Sequence, residues 1–113
     1  MEKELDFNND EKLSANWPGV VEKLNNKYNH NERNIAMMIL QEGLSKHLLQ
    51  ADEDKYIQGV QLVIRGAQDN HYTVRDWATH ILWGVMEATE NHESEDVQAV
   101  FNQAYSTMEE LEK

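Results

Sequence analysis

The sequence predicts an all-α fold of five helices in one domain. Three observations lead there. A single Pro and five Gly interrupt 113 residues, so turn signals are sparse and mostly polar. The long segments between them are rich in Ala, Leu, Glu, Gln, Lys and Met, which are good helix formers. Apolar residues recur at spacings of three and four, and Val and Ile never settle into sustained alternation. The chain is 40% hydrophobic, enough for a lean core, and 113 residues suit one small domain, since two would each fall near the lower limit for a core of its own.

Residues 1–14 read as a polar N-terminal arm anchored only by Leu5, Phe7 and Leu13; residues 15–113 form the helical domain. Pro18 suits the first position of a first helix, because its missing N–H is not needed there. That helix carries Val20, Val21 and Leu24. A second helix spans about 31–50, capped by Asn29 or Asn31. Its stripe is Ile35, Ala36, Ile39, Leu40, Gly43, Leu44 and His47 or Leu48. Asp52 caps a third helix over about 53–67, which buries Tyr56, Val60, Val63 and Ile64. After the turn at Asp69-Asn70, a fourth helix runs from about Tyr72 to Glu90 with Val74, Ala78, Ile81, Leu82 and Val85 inward. Trp77 reads as core packing. Ser94 then caps a fifth helix over about 95–112, carrying Val97, Val100, Phe101, Ala104, Tyr105, Met108 and Leu111, with acidic residues near its positive end.

The second and fourth helices align. Arg33, Ala36, Ile39 and Leu40 match Arg75, Ala78, Ile81 and Leu82, each pair 42 residues apart. The same offset carries Val20, Val21 and Lys23 onto Leu62, Val63 and Arg65. A period of about 40–47 is that of helix-pair repeats. The segment Val60–Val85, with Val74-Arg75-Asp76-Trp77-Ala78, resembles a HEAT-type repeat. The resemblance covers about residues 17–90. It implies a five-helix HEAT-like α-solenoid or compact helical bundle: repeat 1 at about 17–50, repeat 2 at about 53–90, and a capping helix at about 95–112. It also implies bonds between repeats from Arg33, Arg75 and Asp76. Asn34 stands where the second repeat has Asp76, so that ladder is incomplete.

Composition and motifs exclude several function classes. There are no Cys, which removes disulfides, zinc–thiolate sites, iron–sulfur clusters and thiol catalysis. Ten Lys and Arg stand against 21 Asp and Glu, a net charge of −11. That balance disfavours nucleic-acid phosphates and anionic membranes as partners, and favours a basic protein. No apolar run approaches the roughly 20 residues of a bilayer span. Residues 1–12 lack the basic and apolar regions of a signal peptide, so a cytoplasmic location is expected. His-Glu-x-x-His is absent, and the five His read as solvated or packed. Asp52-Glu53-Asp54 begins like a calcium loop, yet Ile57 and Val63 occupy the positions of its Gly and Glu. No Ser lies in a Gly-x-Ser-x-Gly elbow and the glycines are isolated. Neither a metal, a cofactor nor a catalytic centre is expected, and the chain reads as a non-enzyme.

One surface feature remains. On the fourth helix Asp76, His80, Trp83, Glu87 and Glu90 step by four and three, and so share a polar face. Met38 and Gln41 lie beside it at the repeat offset. Trp is a frequent interface anchor, and carboxylates pair with Lys and Arg. The acids Asp52, Glu53, Asp54, Asp69, Glu93, Glu95 and Asp96 sit in turns and read as solvated. In size, charge and lack of catalytic motifs the chain is similar to bacterial immunity proteins of toxin–immunity systems, notably contact-dependent growth inhibition. That resemblance implies a basic protein partner, a nuclease toxin domain, neutralised by covering its active or RNA-binding surface. The alternative is a HEAT-like adaptor that recognises a peptide or subunit.

Overall fold

Small polar side chains fix where the helices begin. The computed structural model describes residues 10–112, with side chains from residue 11. Among these residues seven helices follow one another: α1 (Asp10–Asn16), α2 (Val20–Leu24), α3 (His30–Gly43), α4 (Lys46–Ala51), α5 (Glu53–Ala67), α6 (Tyr72–Thr89) and α7 (Glu95–Leu111). Asn29 caps α3 by accepting from the Asn31 N–H at 3.0 Å. Asp52 does the same for α5 from Lys55 at 3.1 Å, and Ser94 for α7 from Val97 at 3.4 Å. At α6 the cap is an imidazole: His71 Nδ1 accepts from the Thr73 N–H at 3.3 Å. Each cap satisfies an N–H that has no partner inside its helix.

The five expected helices become seven for two reasons. The segment 31–50 is split: Leu44 leaves helical geometry (φ −88°, ψ 75°), and Ser45 caps α4 through the Leu48 N–H. Gly43 explains the location. The Trp17 ring lies 2.5 Å from where its Cβ would stand, so the helix ends against an indole. Upstream, the segment read as an arm with room for a short helix carries α1, which continues past residue 14 to Asn16. Leu13 is buried, as its reading as an anchor requires, whereas Leu5 and Phe7 lie outside the described residues. Pro18 does not open α2. Gly19 intervenes at φ 80°, a left-handed conformation that favours glycine, and the helix starts at Val20.

The buried strip of α3 is also rotated from the expected one. Arg33, Ala36, Met37 and Leu40 are buried, while Ile35 and Ile39 are exposed. Two contacts set this rotation. Arg33 is held by an ion pair to Asp69, and Met37 fills the space at Gly66, its Sδ 2.7 Å from where a Cβ would be.

α5 is the centre of the molecule. It packs against α1, α3, α4, α6 and α7. Residues 56–67 are buried apart from Arg65, so burial extends well beyond the expected stripe to Gln58, Gln61 and Leu62. Gly59 lets Trp17 lie against the helix, where the indole Nε1–H donates to the Lys55 carbonyl at 2.8 Å. α6 and α7 complete the core with Val74, Ala78, Leu82, Val85, Val97, Val100 and Ala104. Trp77 is half-buried and packs on that core. Gln98 ties α7 to the end of α6, donating to the Thr89 and His92 carbonyls at 2.8 Å. The radius of gyration is 13.1 Å, against about 13 Å for a globular domain of this length.

α3 and α6 start side by side. The His30 and His71 rings stack with centroids 3.8 Å apart, and Asn34 donates to Thr73 Oγ1 at 3.0 Å. The two helices pack against each other.

Candidate partner-binding surface

Five positions of the helix that was expected to carry the binding face are exposed together. Asp76, His80, Trp83, Glu87 and Glu90 all face solvent, Trp83 at 56%. None of the three carboxylates has an ion pair among the described residues. On α3, Met38 and Gln41 are exposed too, at i+4 and i+7 from the Asn34 that reaches α6. Ile35 and Ile39 join Met38, so α3 adds an apolar strip that sequence periodicity had assigned to the core.

A groove of about 480 Å³ lies between α6 and the segment where α3 ends and α4 begins, over Tyr56 of α5. Gln41, Leu44 and Lys46 form one wall, and His80, Gly84 and Glu87 the other. Three of the seven expected residues, Gln41, His80 and Glu87, thus line one cavity. Met38, Asp76, Trp83 and Glu90 lie outside its lining. Tyr56 contributes to the lining although only 1% of it is exposed. Burial raises its hydroxyl pKa to about 12, so it stays protonated and able to donate.

Gly84 was not singled out by the sequence. It is exposed in the middle of an 18-residue helix, and a Cβ there would meet no atom within 4 Å. The other glycines have internal reasons: Gly43 and Gly59 admit Trp17, Gly66 admits Met37, and Gly19 turns the chain. A helix glycine costs about 1 kcal/mol relative to alanine, and nothing within the described chain offsets that at Gly84. Its place at i+4 from His80, beside Trp83, was the available signal.

No family model, curated protein or solved structure matches this chain. The surface is read from its own chemistry.

The residues implicated by the HEAT-type resemblance distribute differently from expectation. Arg33 bonds Asp69 through Nε at 2.6 Å and Nη2 at 3.1 Å, and also donates to the Asn26 carbonyl at 2.7 Å. Arg75 donates to the Asp69 carbonyl at 3.0 Å. Asp76 takes no part in this and faces solvent; the acid that ties α3 to the turn between α5 and α6 is Asp69. Burial pushes the Asp69 pKa up, but hydrogen bonds from the Arg33 side chain and the His71 N–H, with the nearby guanidinium charge, outweigh it and leave the pKa lowered. Other turn acids also serve the fold: Asp52 caps α5, and Glu53 accepts from the Ser94 hydroxyl. Glu93 and Glu95 are exposed.

Proposed function

We propose that this chain is a non-catalytic acidic binding protein that covers a basic protein partner with the exposed faces of α3 and α6. In this reading the partner is a nuclease toxin domain, and the chain acts as its immunity protein by occluding the active or RNA-binding surface. The observation that carries it is the composition of the α6 face: an exposed Trp among carboxylates with no ion pair among the described residues, next to a helix glycine that no contact among those residues explains. Trp83 is the anchor, Asp76, Glu87 and Glu90 pair with Lys and Arg, and Gly84 admits close approach of the partner. The net charge of −11 accelerates that encounter at low salt. A cytoplasmic site of action belongs to the same proposal.

Capture at low salt from the source cells, elution by a salt step and mass spectrometry test it. The expected product is a basic nuclease-like polypeptide encoded nearby; an acidic partner overturns the reading. The apolar strip Ile35, Met38 and Ile39 favours a second reading, a HEAT-like adaptor that docks an apolar peptide or subunit. Buried pairs at the repeat offset, Val20 with Leu62, Ala36 with Ala78 and Leu40 with Leu82, support its repeat architecture. Salt separates the two: electrostatic covering weakens as ionic strength rises, and apolar docking does not.

A further inference from the structure

The groove beside α6 carries a polar group that the fold leaves unused. Tyr56 is 1% exposed, yet it belongs to the groove lining. Its hydroxyl forms no hydrogen bond among the described residues, and it is not one of the unpartnered side-chain atoms sealed from solvent. The trace of exposure that Tyr56 keeps is therefore at the hydroxyl, on the floor of the groove. Buried polar groups are ordinarily paired, and this one is open to a partner only from within the groove.

The walls above it carry opposite charges. Lys46 stands on one and Glu87 on the other, and neither has an ion pair among the described residues. An ionised carboxylate only accepts and an ammonium only donates, whereas the Gln41 amide and the Tyr56 hydroxyl do both. The surroundings of Glu87 decide the sign of the ligand. Asp76 and Glu90 share its exposed face, and the chain carries −11 overall, so a cation is drawn to this mouth and an anion repelled. Lys46 is exposed, and its flexible stem lets the ammonium turn to solvent. The rest of the lining is apolar, with Leu44 on one side and Ile81, Val85 and Ala88 on the other. Gly84 leaves the α6 wall open, since even a Cβ there would meet nothing within 4 Å.

Of the two permanently cationic side chains, arginine suits this lining. Its methylene stem covers apolar surface, and its planar head carries several N–H donors in a fixed fork. Such a fork bonds a carboxylate, an amide carbonyl and a phenol oxygen together. A lysine ammonium is a compact, strongly hydrated charge and gains less from an apolar groove.

Resting on the reading of this face as the cover of a basic protein, we propose that the groove receives one arginine side chain of that partner. The stem lies over Gly84 between Leu44 and Val85. The guanidinium pairs with Glu87 and donates to Tyr56 Oη and the Gln41 carbonyl.

The test is an NMR titration of the full chain with N-acetyl-L-arginine methylamide, run beside its lysine and glutamate counterparts. Saturable shifts of the Gly84 and Val85 amides at millimolar arginine probe are expected, with the lysine probe weaker and the glutamate probe silent. Tyr56→Phe removes only the hydroxyl and should weaken arginine binding about three- to tenfold, the worth of one hydrogen bond. Lys46→Gln removes the like charge and should tighten it, whereas a site for an anion would respond in the opposite sense. Four results overturn the proposal: no saturable shift, equal binding of the lysine probe, unchanged binding by Tyr56→Phe, or weaker binding by Lys46→Gln. All are read on the probe alone, apart from the capture experiment that tests the underlying reading. A chain that captures a basic protein but ignores the arginine probe loses this subsite and keeps that reading.

Discussion

Gly84 puts stability and binding in opposition at one residue. Replacing it with Ala should raise stability by about 1 kcal/mol, since the position is helical, exposed and uncrowded. The same methyl group projects into the groove beside α6 and should weaken capture of the partner. Thermal unfolding and calorimetric titration of Gly84→Ala check both halves; a rise in stability with unchanged affinity removes Gly84 from the interface. Asp69 makes the opposite case. Asp69→Ala strands the buried Arg33 guanidinium and should cost about 3 kcal/mol or more, read by urea unfolding. Because the folded pKa of Asp69 is lowered, its contribution is complete above the ordinary aspartate value of about 4 and is lost as pH falls through the folded value. An Asp69→Asn variant should show a flatter acid limb. Tyr56 acts at the other end of the scale. Its pKa is raised to about 12 by burial, so the stability this proton supplies is complete below the unfolded value of about 10 and disappears as pH rises to the folded one. Tyr56→Phe should remove that alkaline slope in the same unfolding assay.

The helices owe their ends to contacts as much as to propensity. Trp17 is the clearest instance: it sits between α3 and α5, meets Gly43 and Gly59, and bonds the Lys55 carbonyl. Trp17→Ala should cost about 3 to 5 kcal/mol. Gly59→Ala, which forces a Cβ to within 2.6 Å of the ring, should cost about 1 to 3 kcal/mol through overpacking. A Trp17→Ala/Gly59→Ala double variant that is no less stable than Trp17→Ala alone, read by chemical denaturation, would show that the indole and the glycine form one packing unit. The caps behave more simply. Asn29, Asp52 and Ser94 were identifiable from local sequence because a cap acts within three residues. Ser45 was not, because the break it caps depends on Trp17, 28 residues earlier in the chain.

At the scale of the molecule, Asp76, Glu87 and Glu90 hold no side-chain partner among the described residues. Asp76→Asn/Glu87→Gln/Glu90→Gln removes three charges from a chain already at −11, so stability should hold or rise slightly. Partner affinity and its salt dependence should both fall, measured as association across a range of ionic strength. An unchanged salt slope transfers the weight to the apolar strip on α3.

The sequence alone determined the all-helical class, the caps at Asn29, Asp52 and Ser94, the turn at Asp69-Asn70 and the polar face of α6. Each depends on interactions within a few residues, or on a periodicity that one helix displays by itself. Tertiary structure decided the rest. Ile35 and Ile39 had the spacing of core residues, yet the Arg33–Asp69 pair and the fit of Met37 to Gly66 turned them outward. α5 looked amphipathic and became central because five helices pack around it. The groove, the paired start of α3 and α6, and the exposure of Gly84 follow from how separate helices meet. Helical periodicity records which residues can share a face; which neighbour covers that face is settled only by packing.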